Sequence, residues 1–239
     1  MSDDRMFERC RHYIDCRLTE GGKRRDRVRK VAPAVTISRE TGSRAVTIGK
    51  VLTGVLDEVA PSSGCRWTVF DENLVEEVLA DHNLPKRLKA YLVEDKVHEF
   101  TASIEEILGL HPSSWTLFHH TVETVLKLAL LGQVILVGRG TNLMTASMPG
   151  VLHVRLIGSV EKRVAHVARY YDLAEDEARK LIRKKDAAGR RFVRQHFGYK
   201  NADPMIYDLV INTDRLRDEA VATMIADGLR DRIRLARRA

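Results

Sequence analysis

The sequence predicts an α/β fold: a three-layer α/β/α sandwich built on a mainly parallel five-stranded sheet. Three observations carry this. Short, almost wholly apolar runs recur along the chain, as strands buried on both faces require. Longer stretches with helical spacing of apolar residues alternate with those runs, which is the pattern of strands joined by crossover helices. The most unusual polar turns, "SRETGSR", "DEN", "GRGTN" and "NTDR", all follow apolar runs, so they fall at the carboxyl ends of strands, where sheets of this kind gather ligands.

In chain order, "MFERCRHYIDCRL" (6–18) spaces Met6, Phe7, Cys10, Tyr13, Ile14 and Leu18 as one face of a short amphipathic helix. "GGKRRDRVRK" (21–30) holds six basic residues against one acid, and reads either as a solvated linker or as a contact for nucleic acid or a partner. The apolar runs at 34–38, 67–70, 134–137, 152–157 and 209–212 are the five expected strands. Helices are expected at 45–59, 72–80, 85–97, 113–131, 159–171, 175–197 and 216–236. No internal repeat and no low-complexity segment interrupts the order. Residues 1–30 thus form an extension, and 31–239 the main domain.

Composition narrows the function classes. The chain has 239 residues, 44% apolar and 31% charged, enough for a sizeable core. A net charge of +7 favours anionic ligands. The opening "MSDDRMFERC" is charged where a signal peptide is apolar, and "LKLALLGQVILVG" (126–138) is too short to span a bilayer, so a soluble cytoplasmic protein without membrane contact is expected. Cys10, Cys16 and Cys65 form no metal pair and an odd number, so three reduced thiols are expected. Neither a histidine-based metal motif nor a serine-hydrolase elbow occurs, and His119-His120 point apart on a helix. Without a recognition helix or an aromatic platform, nucleic acid is not the expected partner.

Four stretches carry chemistry. "VTISRETGSRAVTIGK" (35–50) has the strand–turn–helix order of a phosphate site, where turn amides and the helix start meet an anion. Arg39 or Arg44 could supply the charge usually given by a lysine, and Thr47 a magnesium-binding hydroxyl; an ordinary strand-to-helix turn is the alternative. "VILVGRGTN" (134–142) ends a buried strand in Gly138-Arg139-Gly140, a guanidinium fork suited to phosphate or carboxylate, or else to a structural ion pair. "RKLIRKKDAAGRRFVRQHFGYKNADP" (179–204) crowds Arg183, Lys184, Lys185, Arg190, Arg191 and Arg194 around the single acid Asp186. It reads as a solvated face or as a phosphate-closing lid, with Arg183, Arg190, Arg191 and Arg194 broadly on one helix face. "LVINTDRL" (209–216) ends a strand in a helix-capping turn at Asn212-Thr213-Asp214.

Those pieces in that order resemble the cytidylate-kinase-like branch of the nucleoside monophosphate kinases, phosphate-loop proteins with a helical lid. The likeness rests on "VTISRETGS" with "TIGK", "VFDENLVEEV", "VILVGRGTNLM", "PGVLHVRLIG", "LIRKKDAAGRRFVRQHFG" and "DPMIYDLVINTDRL", and spans about 34–217. The resemblance implies ATP-dependent phosphoryl transfer, with Mg2+, to a CMP-like nucleoside monophosphate or similar small acceptor. It places the acceptor region at about 71–131 and the lid at about 172–204. Arg39, Gly42, Ser43, Arg44, Ala45, Val46 and Thr47 would hold the donor phosphates and metal, with Thr213 and Asp214 near the donor base. Asp71, Gly138, Arg139, Gly140 and Asp186 would meet the acceptor, and Arg44, Arg139, Arg183, Arg190 and Arg191 the transferred group. The chain departs from the family pattern at three places. The loop lysine's place falls on Ala45, its preceding glycine is Arg44, and Val137 and Gly140 replace both acids of an Asp-Gly-Arg-Asp segment. A catalytically inactive nucleotide-binding regulator or scaffold is therefore the alternative function.

Overall fold

The structure is a computed structural model, described here for Glu8, Cys10 and residues 12–17, 32–59, 65–71 and 115–238. The helices expected at 72–80 and 85–97, most of the acceptor region and the basic run 21–30 lie outside these residues. All five expected strands are present: β1 (Ala34–Arg39), β2 (Thr68–Asp71), β3 (Val134–Val137), β4 (Val151–Ile157) and β5 (Leu209–Asn212). They form one parallel sheet in the order β2-β3-β1-β4-β5. The chain leaves central β1 toward β2 and β3 on one side, then crosses to β4 and β5 on the other. The switch point therefore lies at the carboxyl ends of β1, β3 and β4.

Side-chain alternation along the strands makes two cores. Val35, Ile37, Ile135, Val137, Leu152, Val154 and Leu156 face one side, covered by α1 (Ala45–Val59) and the last helix, Asp218–Ala236. Ala34, Val134, Leu136 and Val151 face the other, covered by α2 (Trp115–Leu131), the short α3 (Thr141–Met144) and the end of a long basic helix. That basic helix, α5 (Glu175–Phe197), forms a hairpin with α4 (Val160–Tyr171), closed by its own small core of Val164, Val167, Ala178 and Ile182. The last helix is α6. Layers of helix, sheet and helix are thus as the sequence led one to expect, whereas α3 and a 3-10 turn at Pro204–Ile206 were not anticipated. Among the described residues no helix is long and apolar enough to cross a membrane.

The thiol expectation is corrected. Cys16 and Cys65 form a disulfide across 49 positions, while Cys10 is a buried thiol. Their meeting depends on tertiary packing: Tyr13 sits edge-on to Phe70 at 5.6 Å, and its hydroxyl donates to the Gly132 carbonyl. The amino-terminal helical segment thereby lies beside β2, just after Cys65, a proximity that cysteine spacing does not encode.

His153 on β4 is buried between sheet and helices. Its Nδ1 lies 2.9 Å from Thr36 Oγ1, and Nε2 finds no partner among the described residues. Burial lowers its pKa to about 4, against the opposing pull of the Asp208 carboxylate. The unfolded chain takes up this proton near pH 6.5 and the folded chain only near 4, so the contribution of neutral His153 is complete above 6.5 and lost as pH falls. On the order of 3 kcal/mol should disappear over that interval. Thermal melts at pH 7 and pH 4.5 should show a larger fall in Tm for wild type than for His153→Gln; equal falls would remove His153 as the cause.

Candidate functional site

The turn after β1 is shaped by two left-handed residues, Gly42 at φ 90° and Arg44 at φ 63°. Between them Ser43 closes the turn, its amide and hydroxyl donating to the Glu40 carbonyl at 3.1 and 2.8 Å. α1 begins at once behind this turn, and the first amides of a helix are a ready place for an anion. Gly42 is required twice over: its φ disfavours side chains, and a Cβ there would stand 2.7 Å from the Arg163 carbonyl oxygen. Gly42→Ala should therefore cost about 1–3 kcal/mol of stability, read as a lower denaturant midpoint. A midpoint equal to wild type would show that the turn relaxes freely.

A buried ion cluster fastens this turn to the α4–α5 hairpin. Arg163, 7% exposed, donates through Nε to the Gly158 carbonyl at 3.0 Å, and through Nη1 to the Thr41 carbonyl at 3.1 Å and Asp186 Oδ2 at 2.7 Å. Glu40 Oε2 lies 3.6 Å from its Nε and accepts from the Gly158 amide at 3.2 Å. Asp186 Oδ1 in turn accepts from the Thr41 amide at 2.8 Å. A carboxylate of α5 thus occupies a turn N–H of the type that takes phosphate, and locks the basic helix over the β1 tip.

Beside the turn opens a cleft of about 530 Å³, within the range of small-molecule sites. It is lined from β1 and its turn (Ser38 to Ala45), α1 (Val46, Thr47, Lys50), β2 (Asp71), β3 (Gly138, Arg139), β4 (Arg155), α4 (His166, Val167, Tyr170, Tyr171) and α5 (Lys185, Asp186, Gly189, Arg190), with Asn201 and Ala202. Seven basic side chains face three carboxylates, two of which belong to the Arg163 cluster, so the field inside strongly favours an anion. His166 adds no charge near neutrality: burial, then Arg169 and Arg44, hold its pKa below the usual histidine value. Gly189 lies against the Arg139 stem, where a Cβ would stand in ordinary contact with Arg139 Cδ and Nε at 3.6 Å. The β3 tip and the basic helix therefore converge on the same space.

The sequence-derived candidates divide. Arg39, Gly42, Ser43, Ala45, Val46, Thr47, Asp71, Gly138, Arg139, Asp186 and Arg190 line the cleft. Arg183 and Arg191 are exposed on α5 and stand outside the lining. Two turns of helix put Arg183 at the right angle but about 10 Å too far along the axis. Gly140 packs under Phe197, where a Cβ would approach the ring to 2.6 Å. Thr213 and Asp214 hold the β5 turn to α4: Thr213 Oγ1 donates to Ile157 O at 3.1 Å, and Asp214 accepts from the Ser159 amide at 2.9 Å. Arg44 reaches the cleft wall, but its guanidinium donates to Thr213 O at 2.5 Å and Leu216 O at 2.8 Å and pairs with Asp218 at 2.7 Å. That commitment corrects the picture of Arg44 as a free stand-in for the loop lysine. Lys185, named in the sequence only as one of the crowded cations of 179–204, also lines the cleft; missed from sequence were Lys50, three residues beyond Thr47 on the same helix face, and Arg155, Tyr170 and Tyr171.

The profile described as the cytidylate kinase-like family matches residues 34–215. No curated protein matches the chain. Among solved structures, an uncharacterized protein from Eubacterium ventriosum superposes with a TM-score of 0.63 at 17% identity, covering 84% of this chain and 99% of that one. Shikimate kinase from Bacteroides thetaiotaomicron is more distant, with a TM-score of 0.46 at 11% identity over 84% and 99% of the two chains.

Proposed function

Because the chain belongs to the cytidylate kinase-like family, we propose that it transfers a phosphoryl group from ATP to a nucleoside monophosphate of the CMP type or a similar small acceptor. The observation that supports this most is convergence. The turn at 39–47, Arg139 from β3, and Lys185 and Arg190 from α5 share one cationic cleft at the sheet's switch point. In this reading the turn amides and the start of α1 hold the donor phosphates, and Arg139 holds the acceptor phosphate. Lys185, Arg190 and Lys50 neutralise the group in transit. Phosphoryl transfer asks for positioning and charge neutralisation rather than a protein nucleophile, since the acceptor's own oxygen attacks. The residues fit magnesium that arrives on the nucleotide: Thr47 presents a hydroxyl and Asp71 a carboxylate to the cleft, a ligand set that suits an ion otherwise held by phosphate and water. When bound, the ion would supply positive charge that offsets the charge of the phosphates.

One observation favours the alternative, an inactive nucleotide-binding regulator: Ala45 fills the lysine's place and Arg44 is engaged elsewhere. Calorimetric titration with Mg-ATP, then a coupled assay against CMP, UMP, AMP and dCMP, separates the two. Binding with turnover of at least one acceptor is the expected result. Binding without turnover supports the regulator, and no binding ends both.

A further inference from the structure

Arg155 is an anomaly in the sheet. It lies in the middle of β4, 5% exposed, opposite Ser38 in the register with central β1. A guanidinium so placed is costly unless an anion compensates it. Yet among the described residues it forms no ion pair. Its Nη1 donates only to Ser38 Oγ and Tyr207 Oη, both at a long 3.4 Å, and its carbon stands 5.6 Å over the Tyr207 ring. Tyr207 is itself fixed, its hydroxyl donating to the Asn201 carbonyl at 3.0 Å. Neutral groups therefore aim the cation, none neutralises it, and the space it lines is the cleft.

The face of the sheet tells which ligand it serves. Leu152, Val154 and Leu156 point toward α1 and α6, the side of the helix that begins at the donor turn. Arg155 alternates with them and points to the opposite side, where Val151 packs and where α5 comes over the sheet. We infer that Arg155 is an anion-binding position on the cleft floor that takes a phosphate monoester or carboxylate group of the acceptor, as a determinant of specificity for anionic acceptors. This rests on the donor–acceptor reading of the cleft given above. Arg139, two strands away across β1, would hold the acceptor from the other side at a spacing of about 10 Å between strand axes.

The test uses the full chain, inorganic phosphate and acetate as probes at constant ionic strength, and the variants Arg155→Met and Arg155→Lys. Arg155→Met should weaken phosphate binding about ten- to a hundredfold and leave the Kd for Mg-ATP within about twofold. Its ligand-free Tm should stay level or rise, because an uncompensated buried charge has gone. Arg155→Lys should keep most of the phosphate affinity. Stronger binding of acetate than of phosphate would name the carboxylate as the acceptor group. Phosphate affinity of Arg155→Met within twofold of wild type, or a ligand-free Tm well below it, overturns the inference, the latter by showing a structural post. A wild type that binds neither probe overturns it as well. Loss of phosphate binding in Arg155→Met, alongside a wild type blind to Mg-ATP, would sink the kinase reading and leave an anion site at Arg155.

Discussion

Arg139→Met will lower kcat/KM for the best acceptor about 10²–10³-fold, the effect of deleting one charge-stabilising donor from a dry site. The expectation follows from position. Arg139 caps a strand whose four residues are all buried, its stem lies against Gly189, and its head lies in the cleft with Lys185 and Arg190. A guanidinium clamps two phosphate oxygens at once, so lysine in its place should recover only part of the loss. Far-ultraviolet dichroism and Tm should stay close to wild type, separating chemistry from folding. A kcat/KM within fivefold of wild type would place the acceptor somewhere else in the cleft.

Asp186→Ala should be the most destabilising single change at the site, by about 3 kcal/mol, the low end for breaking a buried ion pair because Glu40 remains beside Arg163. For a chain of this size that is a fall in Tm of about 6–12 °C. Two losses add together: Arg163 keeps its charge in a buried setting, and the Thr41 amide loses its acceptor. A double-mutant cycle isolates the coupling, since Arg163→Met removes the orphaned charge. The pair should be less destabilised than the sum of the single variants by about 1–3 kcal/mol. Additivity within about 0.5 kcal/mol would mean that the contact does not fasten the hairpin to the turn.

How much of this could be read from the sequence varies by residue, for physical reasons. Val134–Val137 was legible as a doubly buried strand because a short, β-branched-rich apolar run sits between glycine-bearing turns, within an alternation of such runs and helical stretches. The turn at 39–47 was legible too, as its conformation is fixed locally by Gly42 and the helix start. Arg44 was not, since its partners Thr213 and Leu216 lie 169 and 172 residues away. Helical periodicity gave the angle of Arg183 and Arg190 but no height above the sheet, and only Arg190 reaches the cleft. Arg155 hid inside "LHVRLI", read as one apolar run. Its charge at an alternate position of a buried strand was the available signal, and periodicity alone does not price it. The Cys16–Cys65 bond depends on where the amino-terminal helix packs, which local pattern leaves open.

In the proposed kinase, turn amides and converging cations hold a polyphosphate in one cleft without the usual lysine. Competition calorimetry with Mg-ATP and inorganic tripolyphosphate tests it most directly. The expected result is that tripolyphosphate displaces Mg-ATP completely, that adenosine does not, and that affinity weakens steadily as salt is raised. Undiminished Mg-ATP binding in saturating tripolyphosphate, or no binding of either, would contradict it.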